Sequence, residues 1–165
     1  LFMLCSDVVD GLAIAGQALA AKYLGSGEAQ RAYRMGVTIL LCGIVAGLLF
    51  TVSFTVAWKT IVEFFTTSDA VIALLTPAVM ILVCLIQPLN ATVFVLDGLL
   101  IGARDTRYLM WAMLAGAAIT VPIAWLSWRF DWGLIGILLA IGALMSWRGA
   151  TNFGRFMSSA WQQRK

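Results

Sequence analysis

The chain has 165 residues, of which 62% are hydrophobic and 12% are charged, and its mean hydropathy is +0.95. Soluble domains carry about 45–50% apolar residues, so this composition excludes an ordinary soluble globular protein. The net charge is +3, histidine is absent, and the three cysteines lack the CxxC spacing of a metal or redox site. The composition therefore predicts an all-α membrane protein built as a multi-span helical bundle.

Five apolar segments follow one another along the sequence. A spanning helix needs about 20 predominantly apolar residues. On that basis we predict spans at about residues 1–21, 36–58, 72–101, 108–128 and 132–150. The fifth segment is short, so Arg148 is expected at its inner edge, and residues 151–165 are expected to form a cytoplasmic basic tail. The first segment begins abruptly, without a basic leader, which we interpret as the edge of a fragment.

The basic residues indicate how the spans are oriented. Nine of the eleven Lys and Arg residues follow the first, third or fifth segment, whereas Lys59 and Arg129 fall in the other two loops. Because Lys and Arg are retained on the cytoplasmic side of short loops, this distribution predicts a cytoplasmic C-terminus. The positive net charge is thus explained by membrane orientation, and we expect no nucleic-acid partner.

Small residues and one proline predict how the helices pack. Four pairs have the four-residue spacing that lets helix backbones approach each other in lipid: Gly43 with Gly47, Gly98 with Gly102 and, in looser versions, Gly11 with Ala15 and Gly136 with Ala140. Pro88 interrupts the longest segment, where it removes a backbone hydrogen bond and is predicted to bend the helix. These features predict a tightly packed bundle.

Polar side chains form a stripe on the first and third spans. At about 100° per residue, the residues of each stripe fall within one third of the circumference of their helix. The stripes consist of Asp7, Asp10 and Gln17 on the first span and of Gln87, Asn90 and Asp97 on the third. Asp10 and Asp97 each belong to a VxDGLxI segment, at residues 8–14 and 95–101. The repeat predicts two helices that line one cavity.

The stripes allow a structural and a functional interpretation. Intramembrane polar groups can act as hydrogen-bonding contacts between helices. Alternatively, a carboxylate in a poorly solvated cavity can take up a proton or coordinate a cation, which makes Asp97 a possible sodium ligand and gives no other metal site. One acidic site with two alternative occupants is the physical basis of antiport. On this interpretation Asp97→Asn or Asp10→Asn leaves folding largely intact and reduces coupled transport.

Two segments carry a resemblance to a known family. VVDGLAIAGQALAAKYLGSGEAQRAY, residues 8–33, resembles the end of the eighth helix and the next cytoplasmic loop of the multidrug and toxic compound extrusion (MATE) family. VLDGLLIGARDTRYLMWAML, residues 95–114, resembles the end of its tenth helix and the start of its eleventh. On this alignment the chain corresponds to part of helix eight through helix twelve in the DinF-like branch.

The resemblance implies a twelve-helix exporter with two lobes around a central cavity, of which this chain is a partial C-terminal lobe. It implies export of drugs or other organic cations in exchange for protons or sodium ions, without a cofactor. The implied location is a plasma membrane, the bacterial inner membrane, and the implied partner is an N-terminal lobe. Asp97, followed by Asp10, is the acidic residue that the resemblance favours for coupling.

Other functions stay open at this point. A flippase for lipid-linked saccharides, in the same superfamily, is expected to need cationic cavity residues, whereas we predict every Lys and Arg in a loop or terminus. A non-transporting membrane subunit or scaffold would use the glycine faces for assembly and gives Asp97 no function. An enzyme is not expected, because Asp7 and Asp10 share one helix, whereas intramembrane aspartyl proteases draw their two acids from different helices.

Overall fold

The computed structural model describes residues 2–65, 77–158 and 160–162, and every regular element in these ranges is helical. The helices are α1 (Phe2–Gly25), α2 (Ala29–Phe65), α3 (Pro77–Gly102), α4 (Thr106–Arg129) and α5 (Gly133–Met157), followed by a short 3-10 turn at Ala160–Gln162. The predicted all-α fold is confirmed. The predicted start of the third span, at residues 72–76, lies outside the described residues.

Four segments of the described helices are long and apolar enough to cross a membrane. They are Ala29–Trp58, Ile81–Gly102, Thr106–Arg129 and Gly133–Met157. Large apolar side chains on these helices are exposed, including Leu49, Val121 and Trp111. Such a surface is unfavourable in water and suits a lipid environment. The chain is therefore a multi-pass membrane protein.

Helix α3 lies at the centre of the bundle. Helices α1, α2 and α5 all pack against it, and α4 packs mainly against α5. The C-terminal half of α3 supplies many of the best-buried side chains, since Val95, Leu96, Leu99 and Leu100 are each 0% exposed. A helix surrounded on several sides has little lipid contact, so its polar residues face neighbouring helices.

The glycines of α3 allow a close approach to α1. A methyl group added at Gly98 would overlap the backbone carbonyl of Ala13, and one added at Gly102 would overlap that of Gln17. Both contacts advance by four residues along each helix, so α1 and α3 run parallel. The predicted GxxxG contact is confirmed, and glycine is required here because no side chain fits between the two backbones.

The glycines of α2 also contact α3, on a face adjacent to the one that meets α1. A Cβ atom at Gly47 would lie 2.6 Å from the Cα atom of Pro88, and one at Gly43 would lie 2.8 Å from Cγ2 of Val95. The proline of α3 therefore packs directly on a glycine of α2.

The two looser pairs behave differently. A Cβ atom at Gly136 would overlap the hydroxyl of Ser127, so this glycine brings α5 close to α4. Gly11 has nothing within 4 Å of such an atom, and both Gly11 and Ala15 are exposed. Within the described residues the Gly11 pair makes no helix contact, so the prediction that it packs is wrong for this part of the chain.

The C-terminal segment is more structured than the sequence predicted. Helix α5 continues to Met157, through the first half of the segment 151–165 that we assigned to a tail. Beyond it, Trp161 is 0% exposed, its ring centroid lies 5.3 Å from that of Phe156, and its indole N–H donates to the Phe156 carbonyl at 2.8 Å. The turn at Ala160–Gln162 is therefore packed against the end of α5 by an aromatic contact.

Candidate functional site

Asp97 binds two side chains of α5. Its Oδ2 atom accepts a hydrogen bond and ion pair from Nη2 of Arg148, and its Oδ1 atom accepts a hydrogen bond of 2.6 Å from Nδ2 of Asn152. The pair is largely shielded, since the Arg148 and Asp97 side chains are 15% and 11% exposed. The carboxylate is therefore neutralised within the bundle by its own chain.

Local packing explains why these groups meet. A Cβ atom at Gly149 would lie 3.0 Å from Cδ1 of Leu89, so this glycine lets α5 approach α3 closely. Arg148 and Asn152 are four residues apart and thus lie on adjacent turns of one helix face. The sequence predicted this arginine at the inner edge of a span, and every Lys and Arg in a loop or terminus. That assignment is wrong for Arg148, which lies inside α5.

A second ion pair lies near the C-terminal ends of α3 and α5. Nε of Arg155 donates to Oδ2 of Asp105 at 2.6 Å, and Asp105 is 0% exposed. The guanidinium carbon of Arg155 lies 4.8 Å from the centroid of the Tyr108 ring, whose hydroxyl donates to the Thr151 carbonyl at 2.7 Å. These contacts hold the connection between α3 and α4 against the C-terminal end of α5.

The polar residues near Pro88 stabilise the helix backbone. Proline has no N–H, so residue 88 cannot donate to the carbonyl of Cys84, four residues earlier. The hydroxyl of Thr51, on α2, donates to that carbonyl at 2.8 Å. At the preceding residue, the carbonyl of Val83 accepts a hydrogen bond of 3.2 Å from Nε2 of Gln87. Gln87, a candidate cavity residue, therefore has a structural contact with its own helix.

Asn90 differs from Gln87 in its hydrogen bonding. It is 4% exposed, yet within the described residues neither polar atom of its side chain has a hydrogen-bond partner. Asn90 and Asp97 are seven residues apart and thus lie on nearly the same face of α3. Gly98, which meets α1, and Gly149, which meets Leu89 of α3, place α1 and α5 on either side of this face.

The stripe on α1 is less enclosed. Asp7 and Gln17 are exposed and Asp10 is partly buried. Gly16 faces Leu99 and Ile39, so α2 lies on that flank of α1. At about 100° per residue, Asp10 falls about 120° from Gly16, on the other side of the Ala13 contact with α3. Asp10 therefore lies on the flank of α1 nearer the Asn90 face.

The structure thus groups polar residues from three helices along one line between α1 and α5, which we call the polar seam. Its members are Asp10, Asn90, Asp97, Arg148 and Asn152. Within the described part of the chain, no hydrogen bond joins the α1 stripe to the α3 stripe. Asp10 is therefore a member of the seam by its location and not by a direct bond. Asp7 and Gln17 stay outside it, and Gln87 bonds to its own backbone.

Sequence reasoning missed Arg148 and Asn152. The available signal was that apolar residues continue beyond Arg148, at Ala150 and Phe153, in a segment with a helical period. A basic residue within such a segment predicts an acidic partner on another helix, and Asp97 was already identified as a buried acid.

Comparison with known proteins establishes the family. A family model described as MatE matches residues 1–126. The chain belongs to the MatE family. This agrees with the resemblance of its two VxDGLxI segments to the multidrug and toxic compound extrusion proteins. The DinF-like branch and the alignment to helices eight through twelve stay predictions.

Relatives of this MatE chain include plant proteins. It is 31% identical over 146 residues to Protein DETOXIFICATION 43 of Arabidopsis thaliana, which covers 88% of the chain and 27% of that protein. It is 32% identical over 150 residues to Protein DETOXIFICATION 42 of the same plant, which covers 91% of the chain and 29% of that protein. The chain thus spans less than a third of these relatives. No solved structure matches it significantly.

Proposed function

We propose that this chain is part of a MATE transporter that exports drugs or other organic cations in exchange for protons or sodium ions. The observation that supports this most is the buried Asp97, which lies in the central helix of the bundle and is already bound to a cationic group, Arg148. A site that accepts a guanidinium has the charge and hydrogen-bonding geometry to accept another cation.

The energetics support a functional role for this acid. An aspartate at the centre of a bilayer is unfavourable by about 2.5–3.5 kcal/mol on insertion scales, so its presence requires a compensating partner or a ligand. Replacement of a buried ion pair by apolar residues is often neutral or stabilising, so stability alone is weak grounds for keeping one. Exchange of cations at Asp97 accounts for the presence of the ion pair between Asp97 and Arg148.

We further propose that the chain lies in a bacterial inner membrane with its C-terminus in the cytoplasm, and that an N-terminal lobe completes the cavity. The distribution of Lys and Arg supports the orientation. The exposed polar residues of α1, Asp7 and Gln17, support a further partner on that side of the bundle. No cofactor is required for ion-coupled exchange.

The charge balance also bears on the flippase alternative. A pyrophosphate ligand calls for unneutralised positive charge in the cavity. The two arginines within the inner half of α5, Arg148 and Arg155, are each ion-paired with an aspartate, Asp97 and Asp105. This pairing favours a cationic substrate over an anionic lipid-linked one.

The test is export in cells. The full-length protein is expressed in a bacterial strain that lacks its main efflux pumps and is sensitive to ethidium. The wild type is expected to lower ethidium accumulation. Asp97→Asn alone would leave Arg148 buried and unpaired, so the decisive variant is Asp97→Asn with Arg148→Gln, which removes both charges together. It is expected to accumulate as much ethidium as the empty vector at equal membrane expression.

Export by this double variant at the wild-type level would contradict the proposed role of Asp97. Absence of export by the wild type for several unrelated organic cations, with the protein present in the membrane, would favour the scaffold interpretation.

A further inference from the structure

Both oxygens of the Asp97 carboxylate are occupied by groups of the same chain. Arg148 binds Oδ2 and Asn152 binds Oδ1 at 2.6 Å. A carboxylate has further lone pairs, but Asp97 is only 8% exposed, so little open space lies beside its oxygens. A cation that binds Asp97 must therefore displace one of the two groups.

Arg148 is the partner that can be displaced more easily. Asn152 is 1% exposed and held within the helix contact. Arg148 contacts the carboxylate through one Nη atom, and its buried Nε atom has no hydrogen-bond partner within the described residues. The guanidinium therefore lacks the two parallel hydrogen bonds of the strongest arginine–carboxylate geometry. Its long side chain also has more rotamers available than that of asparagine.

The charge balance at Asp97 also favours displacement of Arg148 over displacement of Asn152. If a cation displaced Asn152, two positive charges would share one carboxylate in a poorly solvated place, which is unfavourable. If it displaces Arg148, one positive charge replaces another at the carboxylate.

The displaced arginine has one hydrogen-bond acceptor beside it on its own helix. Oδ1 of Asn152, one turn along α5, is buried and has no hydrogen-bond partner among the described residues. Asp10, on α1, is the acidic residue of the polar seam that has no ion pair with α5 among the described residues. The contact between Gly98 and Ala13 places Asp10 level with Val95 along the bundle.

The height of Arg148 follows from the same reasoning. The contacts of Gly149 with Leu89 and Val93 place Arg148 between the levels of Pro88 and Thr92. Since Asp10 is level with Val95, the two residues differ in height by about 4.5–10.5 Å at 1.5 Å per residue.

We propose that Arg148 is a tethered competitor for cations at Asp97. It occupies the carboxylate when no ligand is bound, and the exported or coupling cation binds by displacing it. This inference rests on the proposed function and deepens it, because it states how the empty site stays neutral. An empty carrier with a bare buried carboxylate would be unfavourable in every conformation, and the tethered guanidinium removes that obstacle.

The experiment measures ethidium binding to the purified full-length protein in detergent by fluorescence polarisation, at pH 8.5, where protons compete least. A competitor reduces affinity, so its removal must increase affinity. For Arg148→Gln we expect the dissociation constant of ethidium to fall by about tenfold or more, as the coupling of desolvated charge pairs suggests. A merely structural role for Arg148 predicts weaker binding instead.

A matched control is available in the same helix. Arg155→Gln makes the identical chemical change at the other ion pair of α5, in which Arg155 is 20% exposed and does not touch Asp97. Its dissociation constant for ethidium is expected to stay at the wild-type value. Tightening in both variants to the same extent would overturn the proposal, because it would show a general charge effect.

A second variant covers the case in which Arg148→Gln fails to fold, which its melting temperature and gel-filtration profile reveal. Lysine keeps the positive charge but lacks the planar fork of arginine, so Arg148→Lys is a weaker competitor and should tighten ethidium binding by about threefold. Unchanged or weaker binding in the folded variants overturns the proposal.

The double variant Asp97→Asn with Arg148→Gln separates the two levels of inference. If it binds ethidium as Arg148→Gln does, Asp97 is not the cation site, and the assignment of that site fails together with the competitor. If it loses binding while Arg148→Gln shows no tightening, Asp97 remains the site and the competitor alone is overturned.

Discussion

Replacement of Thr51 with valine removes one hydroxyl from the contact between α2 and α3 and keeps the shape of the side chain. That hydroxyl donates to the Cys84 carbonyl at 2.8 Å and lies 3.0 Å from the carbonyl of Gly47. Because Pro88 has no N–H, the Cys84 carbonyl lacks the partner that residue 88 normally supplies. The variant leaves this carbonyl without either donor in a region that contains little water.

The size of the effect follows from this geometry. Hydrogen bonds between membrane helices contribute about 0.6 kcal/mol on average and about 1.7 kcal/mol at most. An acceptor that loses its replacement donor belongs in the upper part of that range, so we expect Thr51→Val to lower the free energy of unfolding by about 1–1.5 kcal/mol. The control is Thr55→Val, since Thr55 donates only within α2, to the Thr51 carbonyl at 2.7 Å. It should change stability by less than about 0.5 kcal/mol.

The assay is reversible unfolding of the full-length protein in mixed micelles titrated with sodium dodecyl sulfate. A double-mutant cycle with Pro88→Ala tests whether Thr51 replaces the missing donor, because alanine at position 88 restores the backbone N–H that can donate to the Cys84 carbonyl. Thr51→Val should then have a much smaller effect than it has beside proline. Equal effects of Thr51→Val and Thr55→Val beside Pro88, or an undiminished effect of Thr51→Val beside alanine, would refute the reasoning.

Two further variants test the packing of the bundle. Gly98→Ala places a methyl group against the Ala13 backbone, so it should destabilise the protein by about 1–3 kcal/mol, whereas the equivalent glycine of the other VxDGLxI segment, Gly11→Ala, should be neutral. Equal melting temperatures for these two variants would contradict the close approach of α1 and α3. Trp161→Ala removes a fully buried ring and should cost about 3–5 kcal/mol, whereas Trp128→Ala, at a position 73% exposed, should change the melting temperature little. Retention of the wild-type melting temperature by Trp161→Ala would contradict the docking of the C-terminal segment.

Local patterns in the sequence were sufficient to predict part of the molecule. Helical spacing alone determines whether small residues form a face, so the pairs at Gly43 and Gly98 were predictable without knowledge of the partner helix. The same holds for Asp97, because a charge within a long apolar run has to be buried or functional. The family resemblance rested on similar local motifs, and the MatE match confirms it.

Pairings between distant segments were not predictable in this way. Hydropathy treats an arginine as the end of a span, because an isolated one is unfavourable by about 2.5–3.5 kcal/mol at the centre of a helix. Arg148 escapes that rule because its partner, Asp97, lies 51 residues earlier on another helix. The tail prediction was limited for the same reason, since the burial of Trp161 depends on Phe156 and on the helices around it.

The donor that replaces the missing N–H of Pro88 is an intermediate case. A proline within a membrane helix always leaves one carbonyl without its usual partner, so the sequence implies that a donor exists. It does not identify Thr51 among several hydroxyl side chains of α2, because that choice depends on the rotation of one helix against the other.

The most direct test of the central claim is ion-driven exchange by the purified full-length protein in liposomes. Ethidium movement is followed by fluorescence while a proton or sodium gradient is imposed in turn. The wild type is expected to concentrate ethidium against its gradient with one of the two ions, and the double variant Asp97→Asn with Arg148→Gln is expected to lose this coupling. Gradient-driven accumulation by the double variant at the wild-type rate would contradict the assignment of Asp97 as the cation-exchange site.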